Sequence, residues 1–325
     1  MENKNNQTID NINIKKKLAI ISSAIAFLAI VAGLVVAREF PRESLALSAE
    51  PFVRTSQSSY IVPLQESTYL PFRDWNVAEP ILDAKAAAIY DKRSEKFLFQ
   101  HNLYSLLPIA SITKLAKALV VVEKIPSGAV ITISQDARKA DTTPDFRLGE
   151  TFYAKDLLKV MLVRSSNDSA VAFQNYLKEN DYDLVALMNQ KAKHIGMLHT
   201  NFLDPAGLND NGYSTAEDVV KLLQSSLANY EIRSALLMKD VSVTSINKQI
   251  AHSFNSTNKL LDTLPNIEGG KTGVTDGALE TLALEIDLPQ YDSSLVAVVL
   301  GTHDRFGEMR KLMEWAQEAY HWNYK

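Results

Sequence analysis

Three short strings in this chain carry side chains suited to acyl transfer: Ser111-Ile112-Thr113-Lys114, Ser165-Ser166-Asn167 and Lys271-Thr272-Gly273. A serine with a lysine one helical turn later needs no histidine, because a neutral lysine can take the hydroxyl proton. At i and i+3 of a helix the two side chains share a face. The free N–H groups of a helix start favour the oxyanion that hydroxyl attack creates, with the Ser111 N–H as one donor. Lys114 must be neutral to serve as base, and desolvation together with a second cation, Lys271, would both lower its pKa. A second serine, Ser165, can relay protons. Lys271 offers charge and Thr272 a hydroxyl for a terminal carboxylate. Gly273 removes a side chain so that a substrate backbone can pair with the strand edge.

Each string alone is weak. Three S-x-x-K strings occur, at Ser111, Ser245 and Ser256, and S-x-N also recurs at Ser245, Ser253 and Ser256. Ser-Ser-Asn-Asp is good N-cap chemistry for a following helix, and a lysine-bearing edge strand is ordinary protection against aggregation. Order does the sorting. Only Ser111 is followed by an S-x-N and then by Lys-Thr-Gly with room for a helical subdomain between them.

The elements that must position these groups follow from periodicity. Ala84 to Tyr90 and Phe97 to His101 read as strands around a polar turn. A helix opens near Ser111 and runs to about Glu123, with Leu115, Ala118, Leu119 and Val122 on one face. Tyr153 to Leu227 is helix-rich: a stripe of Leu157, Leu158, Met161 and Leu162 stops before Ser165, and a second helix starts after Asn167. Ser214 to Glu217 has capping-box spacing ahead of a helix to Leu227. Gly270 to Thr275, Leu279 to Ile286 and Leu295 to Gly301 read as strands, with a turn at Asp276-Gly277. A last helix covers about Arg305 to Tyr320. Strands at both ends imply a sheet assembled from distant segments, with a helical lobe inserted.

Composition bounds the rest. The 325 residues, 46% hydrophobic, can bury a substantial core. A net charge of -4 gives no electrostatic reason to expect nucleic acid, and the absence of cysteine removes disulfides and thiolate metal sites. Leu18 to Ala37 is an uncharged apolar run preceded by Lys15, Lys16 and Lys17. At about 1.5 Å per residue it spans about 30 Å, a bilayer core, and the lysines keep the N-terminus cytoplasmic. We read residues 18–37 as an uncleaved signal anchor after a cytoplasmic segment 1–17; the rival is a signal peptide cleaved after Val35-Val36-Ala37. Residues 38–78, with Pro41, Pro51, Pro63 and Pro71, read as an extended linker, leaving 79–325 as the catalytic domain. No metal or cofactor is expected. His194 and His199 are poorly spaced ligands, and Asn209-Asp210-Asn211-Gly212 fails as a calcium loop because Gly207 and Asp218 occupy its first and last ligand positions.

The ordered motifs resemble the penicillin-binding-protein and serine β-lactamase superfamily, most closely the low-molecular-weight D-alanyl-D-alanine carboxypeptidases (peptidase S11). Asn201 to Leu208, Tyr213 to Asp218, Asn258 to Leu261 and Val298 to Gly301 with Arg305-Phe306 carry the same likeness, which covers about residues 80 to 322. Ser166, where many relatives have glycine, and Gly277-Ala278, in place of Ala-Gly, depart from it. The resemblance implies an α+β fold of the serine DD-peptidase/β-lactamase type, an antiparallel five-stranded sheet flanked by helices plus an all-α lobe. It further implies an acyl-Ser111 intermediate, Ser165 passing a proton to the leaving amine, and Asn167 orienting the substrate amide and Lys114. Val274 N–H would be the second oxyanion donor and Arg305 a carboxylate ligand. The expected partners are the peptidoglycan stem peptide, β-lactams as acylating inhibitors, and the membrane through the N-terminal helix, with the domain outside a bacterial cell. The expected reaction is removal of the terminal D-alanine. Cross-link endopeptidase, serine β-lactamase and non-catalytic peptidoglycan binder are the alternatives. Asp204 is expected to be scaffold, leaving no dedicated base for deacylation of a bulky adduct.

Overall fold

The structure, a computed structural model, describes residues 70–140 and 143–322. The apolar run 18–37 and most of the expected linker lie outside these residues. No helix among the described residues is long and apolar enough to cross a membrane.

The first strands are β1 (Ala84–Asp91) and β2 (Lys96–His101), followed by helix α1 (Thr113–Lys124). A helical stretch then holds α2 (Ala154–Val163), α3 (Asn167–Glu179), α4 (Leu184–His194), α5 (Ala216–Leu227) and α6 (Tyr230–Leu236). The chain returns to strands β3 (Ile267–Thr275), β4 (Leu279–Leu288) and β5 (Ser293–Thr302), then closes with α7 (Arg305–Ala319). The five strands form one antiparallel sheet in the order β2-β1-β5-β4-β3. This is the α+β arrangement expected, with the helical lobe inserted between β2 and β3. The Lys271 strand lies at the sheet edge.

Both faces of the sheet are covered, which is why β5 is a near-continuous apolar run. Leu295, Ala297 and Val299 point to one face, where Leu312, Met313 and Ala316 of α7 complete a core. Val296, Val298 and Leu300 point to the other, into the core of α5 and the helical lobe. Period-two alternation thus serves two hydrophobic layers at once.

Two expectations need correction. The linker does not extend to residue 78. Phe72-Arg73 pairs with Tyr320-His321, Asp74 N donates to Ala319 O, and the Arg73 guanidinium lies 4.2 Å from the Trp75 ring. Residues 72–74 therefore belong to the folded domain, ahead of the expected boundary at 79, because this short strand caps the end of α7. The expected capping box at Ser214–Glu217 is displaced by one residue. Thr215 is the cap, and its hydroxyl accepts from Asp218 N. The Asp218 carboxylate does not reach back to the cap; it accepts from His199 N and the Thr200 hydroxyl, tying the preceding loop to α5.

Candidate active site

Ser111 lies in a single 3-10 turn, Ala110–Ile112, which leads directly into α1. The helix therefore starts two residues after the serine, yet the i, i+3 relation holds: Lys114 Nζ donates to Ser111 Oγ at 2.7 Å. Lys114 is fully buried. Its amine also donates to Asn167 Oδ1 at 2.8 Å and to Ala206 O at 3.2 Å. Three segments far apart in sequence thus converge on one nitrogen.

The Ser165 backbone has φ 64, and Ala110, just before Ser111, has φ 47. Both are left-handed conformations that cost a non-glycine residue on the order of 1–3 kcal/mol and concentrate at functional sites. Here they turn two hydroxyls into one cleft. Ser166 is the residue that caps α3, accepting from Ser169 N at 3.1 Å, so the capping role falls to the middle serine and leaves Ser165 and Asn167 facing the site. Ser165 Oγ accepts from Lys271 Nζ at 2.9 Å.

Lys271 is buried on the edge strand and also donates to Thr272 O at 2.9 Å. Burial first, then the positive charges of Lys114 and Arg305, hold its amine well below the ordinary lysine range. The Thr272 hydroxyl is buried and donates to Thr257 Oγ1 at 2.7 Å, while Thr257 N donates to Val163 O at the end of α2. Thr257 therefore locks the Lys271 strand to the helix that presents Ser165. It escaped sequence reasoning because it sits inside the Ser256 string, one of the decoys. Those decoys are scaffold: Ser245 Oγ accepts from Ile250 N and Ser256 Oγ from Asn258 N.

Gly273 has a structural reason of its own. A Cβ there would meet Thr281 Oγ1 at 2.5 Å, Ala110 Cβ at 2.9 Å and Ile109 O at 2.9 Å. The missing side chain lets the Ser111 turn pack on the strand. Gly207 does the same from the opposite wall, where a Cβ would lie 1.9 Å from Ala110 O. Val274, the next residue, is 59% exposed. Arg305 Nη1 donates to Gly273 O at 2.8 Å, placing its guanidinium beside the strand. Burial pulls its pKa down, against the attraction of Glu280.

Asp204 is consumed by its own loop. Its Oδ1 accepts from Ala206 N, Gly207 N and Leu208 N, and its Oδ2 from Asn209 N. Partial burial pushes its pKa up, but the backbone donors, Asn209 foremost, outweigh that and hold it below the usual carboxylate range. Asp168, the residue after Asn167, likewise accepts from Asp145 N and Phe146 N, fixing the loop before β-strand residues 151–153. One potential ligand set, His199, Glu217 and Asp218, gathers among the described residues. Lys221 pairs with both carboxylates, at 3.3 and 3.4 Å, so one cation of the chain already sits against them.

Lys117 was not singled out from sequence, although S-x-x-K-x-x-K would have flagged it. It is fully buried one turn beyond Lys114, and its amine has no hydrogen-bond partner among the described residues. Burial, then repulsion from Lys114, holds it well below the ordinary lysine range, with Asp204 pulling the other way. An amine whose folded pKa is depressed destabilises the fold at neutral pH, and the penalty fades as pH rises through the unfolded value of about 10.4. Lys117→Met should therefore raise stability at pH 7 by about 1–3 kcal/mol, with a smaller gain at pH 10.5. Thermal melts at both pH values check this; a lower melting temperature at pH 7 would contradict it.

A family profile described as D-alanyl-D-alanine carboxypeptidase matches residues 74–304. The D-alanyl-D-alanine carboxypeptidase DacF of Bacillus subtilis is 27% identical over 248 residues, covering 73% of this chain and 63% of that protein. The D-alanyl-D-alanine endopeptidase of Escherichia coli is 28% identical over 246 residues, 74% of this chain and 79% of that protein. In three dimensions, the crystal structure of a D-alanyl-D-alanine carboxypeptidase from Mycobacterium tuberculosis superposes with a TM-score of 0.68 at 24% identity, over 76% of this chain and 95% of that one. The chain spans less than two thirds of DacF's length.

Proposed function

This chain belongs to the D-alanyl-D-alanine carboxypeptidase family of serine peptidases, and on that premise we propose that it removes the terminal D-alanine of peptidoglycan stem peptides through an acyl-Ser111 intermediate. The observation that carries this is the Lys114 amine, which meets Ser111 Oγ and Asn167 Oδ1 in one buried site. In its neutral form Lys114 takes the Ser111 proton as Oγ attacks the penultimate carbonyl carbon. The Ser111 and Val274 N–H groups receive the oxyanion. The C–N bond then breaks, and Ser165 donates its proton to the leaving amine while the Lys271 amine, its 2.9 Å partner, resupplies it. The terminal carboxylate is assigned to the polar end formed by Lys271, Thr272 and Arg305, where the Thr272 hydroxyl must turn from Thr257 to donate to it. Lys114 passes the proton it took to the neutral Lys271 amine through solvent; again neutral, it deprotonates the water that attacks the ester, and that proton goes to Ser111 Oγ as the shortened peptide leaves.

The same site distinguishes a peptidase from a β-lactamase. The smaller D-alanyl adduct can be hydrolysed with Lys114 as base, but rapid turnover of a bulky β-lactam adduct needs a dedicated one, and the Asp204 carboxylate is engaged by four backbone N–H groups. Penicillin should acylate Ser111 quickly and leave slowly. Stopped-flow acylation followed by mass spectrometry should find the adduct dominant at steady state. Rapid multiple turnover with little adduct would favour the β-lactamase.

The finer topology rests on Lys15 to Lys17 preceding the apolar run 18–37: an N-in anchor that holds the domain outside the membrane. The mature protein should retain its N-terminus. A chain beginning near Arg38, found by N-terminal sequencing, would show a cleaved signal peptide in place of an anchor.

A further inference from the structure

We propose that Asp210 is a positioning residue, whose carboxylate clamps the far end of the Lys271–Gly273 strand to the 204–213 loop and thereby holds the Val274 N–H in register with Ser111. The inference rests on the acyl-enzyme reading above and goes beyond it in naming what sets the oxyanion site's second wall. Nothing in the motifs points to Asp210, which belongs to the rejected Asn209–Gly212 string.

Asp210 Oδ1 accepts from the Thr275 hydroxyl, and Oδ2 accepts from Gly277 N at 3.0 Å. The Thr275 hydroxyl also accepts from Ala278 N at 3.1 Å, so one carboxylate organises the whole turn between β3 and β4. A Cβ at Gly277 would lie 2.6 Å from the Asp210 carboxyl, so glycine at this position, rather than one residue later, is what admits the clamp.

The loop that offers Asp210 is itself fixed. Its first half is wrapped around Asp204, and Gly212 N donates to Asn209 O at 3.0 Å. Asn201 pairs with Tyr213, and Leu107, ahead of the Ser111 turn, pairs with Ser214. The same loop supplies Ala206 O to Lys114. Asp210 therefore links the strand to the frame that positions the base and the nucleophile.

On the strand, Gly273 is held by Arg305 and by contact with Ala110, and Thr275 is held by Asp210. Val274 lies between these two fixed points with its side chain exposed. Releasing one point frees the N–H to drift, and a displacement of about 1 Å in a catalytic group can cost up to about a hundredfold. A clamp of this kind acts on the chemical step, so it lowers kcat or the acylation rate and leaves KM nearly unchanged.

The test measures penicillin acylation rates, KM and kcat for D-Ala-D-Ala pentapeptide, and thermal midpoints for the wild type, Asp210→Ala, Asp210→Asn and Thr275→Val. Asp210→Ala should lose about tenfold in acylation and kcat with KM within about twofold. Asp210→Asn, which keeps an acceptor oxygen, should recover most of the loss. Thr275→Val, which removes one donor from the other side, should fall between. Wild-type rates in Asp210→Ala, or a loss matched by the unfolded fraction alone, would overturn the proposal. Wild-type protein that takes no penicillin would instead overturn the acyl-enzyme reading, and this inference with it.

Discussion

Ser111→Ala is expected to abolish covalent labelling by fluorescent penicillin and to lower D-alanine release at least about a thousandfold. No other hydroxyl in the cleft can replace it. Ser165 Oγ is committed to Lys271, and Ser166 Oγ caps α3. The serines of the other S-x-x-K strings bond backbone N–H groups in their own turns. Ser245→Ala and Ser256→Ala should therefore label like the wild type. The alanine variant should also fold, since Ser111 is only half-buried and Ala110, its neighbour, carries the contacts to Gly207 and Gly273. Persistent labelling of Ser111→Ala would sink the assignment of the nucleophile.

Lys114→Met should cost nearly as much in the acylation step. Methionine keeps the length of the buried stem but removes the amine that donates to Ser111 Oγ. General-base assistance is worth roughly a hundred- to ten-thousandfold, and that is the expected fall. Asn167 and Ala206 would each lose a donor, so binding should suffer less than the chemical step. Stopped-flow acylation separates the two: the limiting rate should collapse while the apparent dissociation constant moves little. A variant that acylates within a few-fold of the wild type would remove Lys114 from the role of base.

Much of this site is legible from residue order. Each motif is common, but the requirement that S-x-x-K, S-x-N and Lys-Thr-Gly follow one another selects a single set, and the structure joins Ser111, Lys114 and Asn167 in one hydrogen-bonded group and Ser165 and Lys271 in a second, with Ser165 and Asn167 two residues apart. The sheet is legible for a related reason. Its strands are long enough for alternation and apolar runs to stand out, and α7 carries its own stripe.

What escapes is short or depends on contact. The pairing of Phe72-Arg73 with Tyr320-His321 involves two residues from each end of the fold, too few for a periodic signal. Thr215 takes the cap from Ser214 because the Leu107–Ser214 bridge already occupies the earlier residue's backbone. The burial of Lys117 is invisible in a string that reads as an amphipathic helix, since a lysine there ordinarily faces water. Gly273 and Asp210 are defined by what approaches them from other segments, and no local pattern encodes that.

The most direct test incubates the purified protein with a D-Ala-D-Ala-terminated stem pentapeptide and, separately, with a cross-linked peptide dimer, and follows released products by mass spectrometry. Release of free D-alanine from the pentapeptide by the wild type, lost in Ser111→Ala, is the predicted result. Cleavage of the dimer without D-alanine release would contradict the carboxypeptidase and point to the endopeptidase. Release from neither substrate would contradict the enzyme altogether.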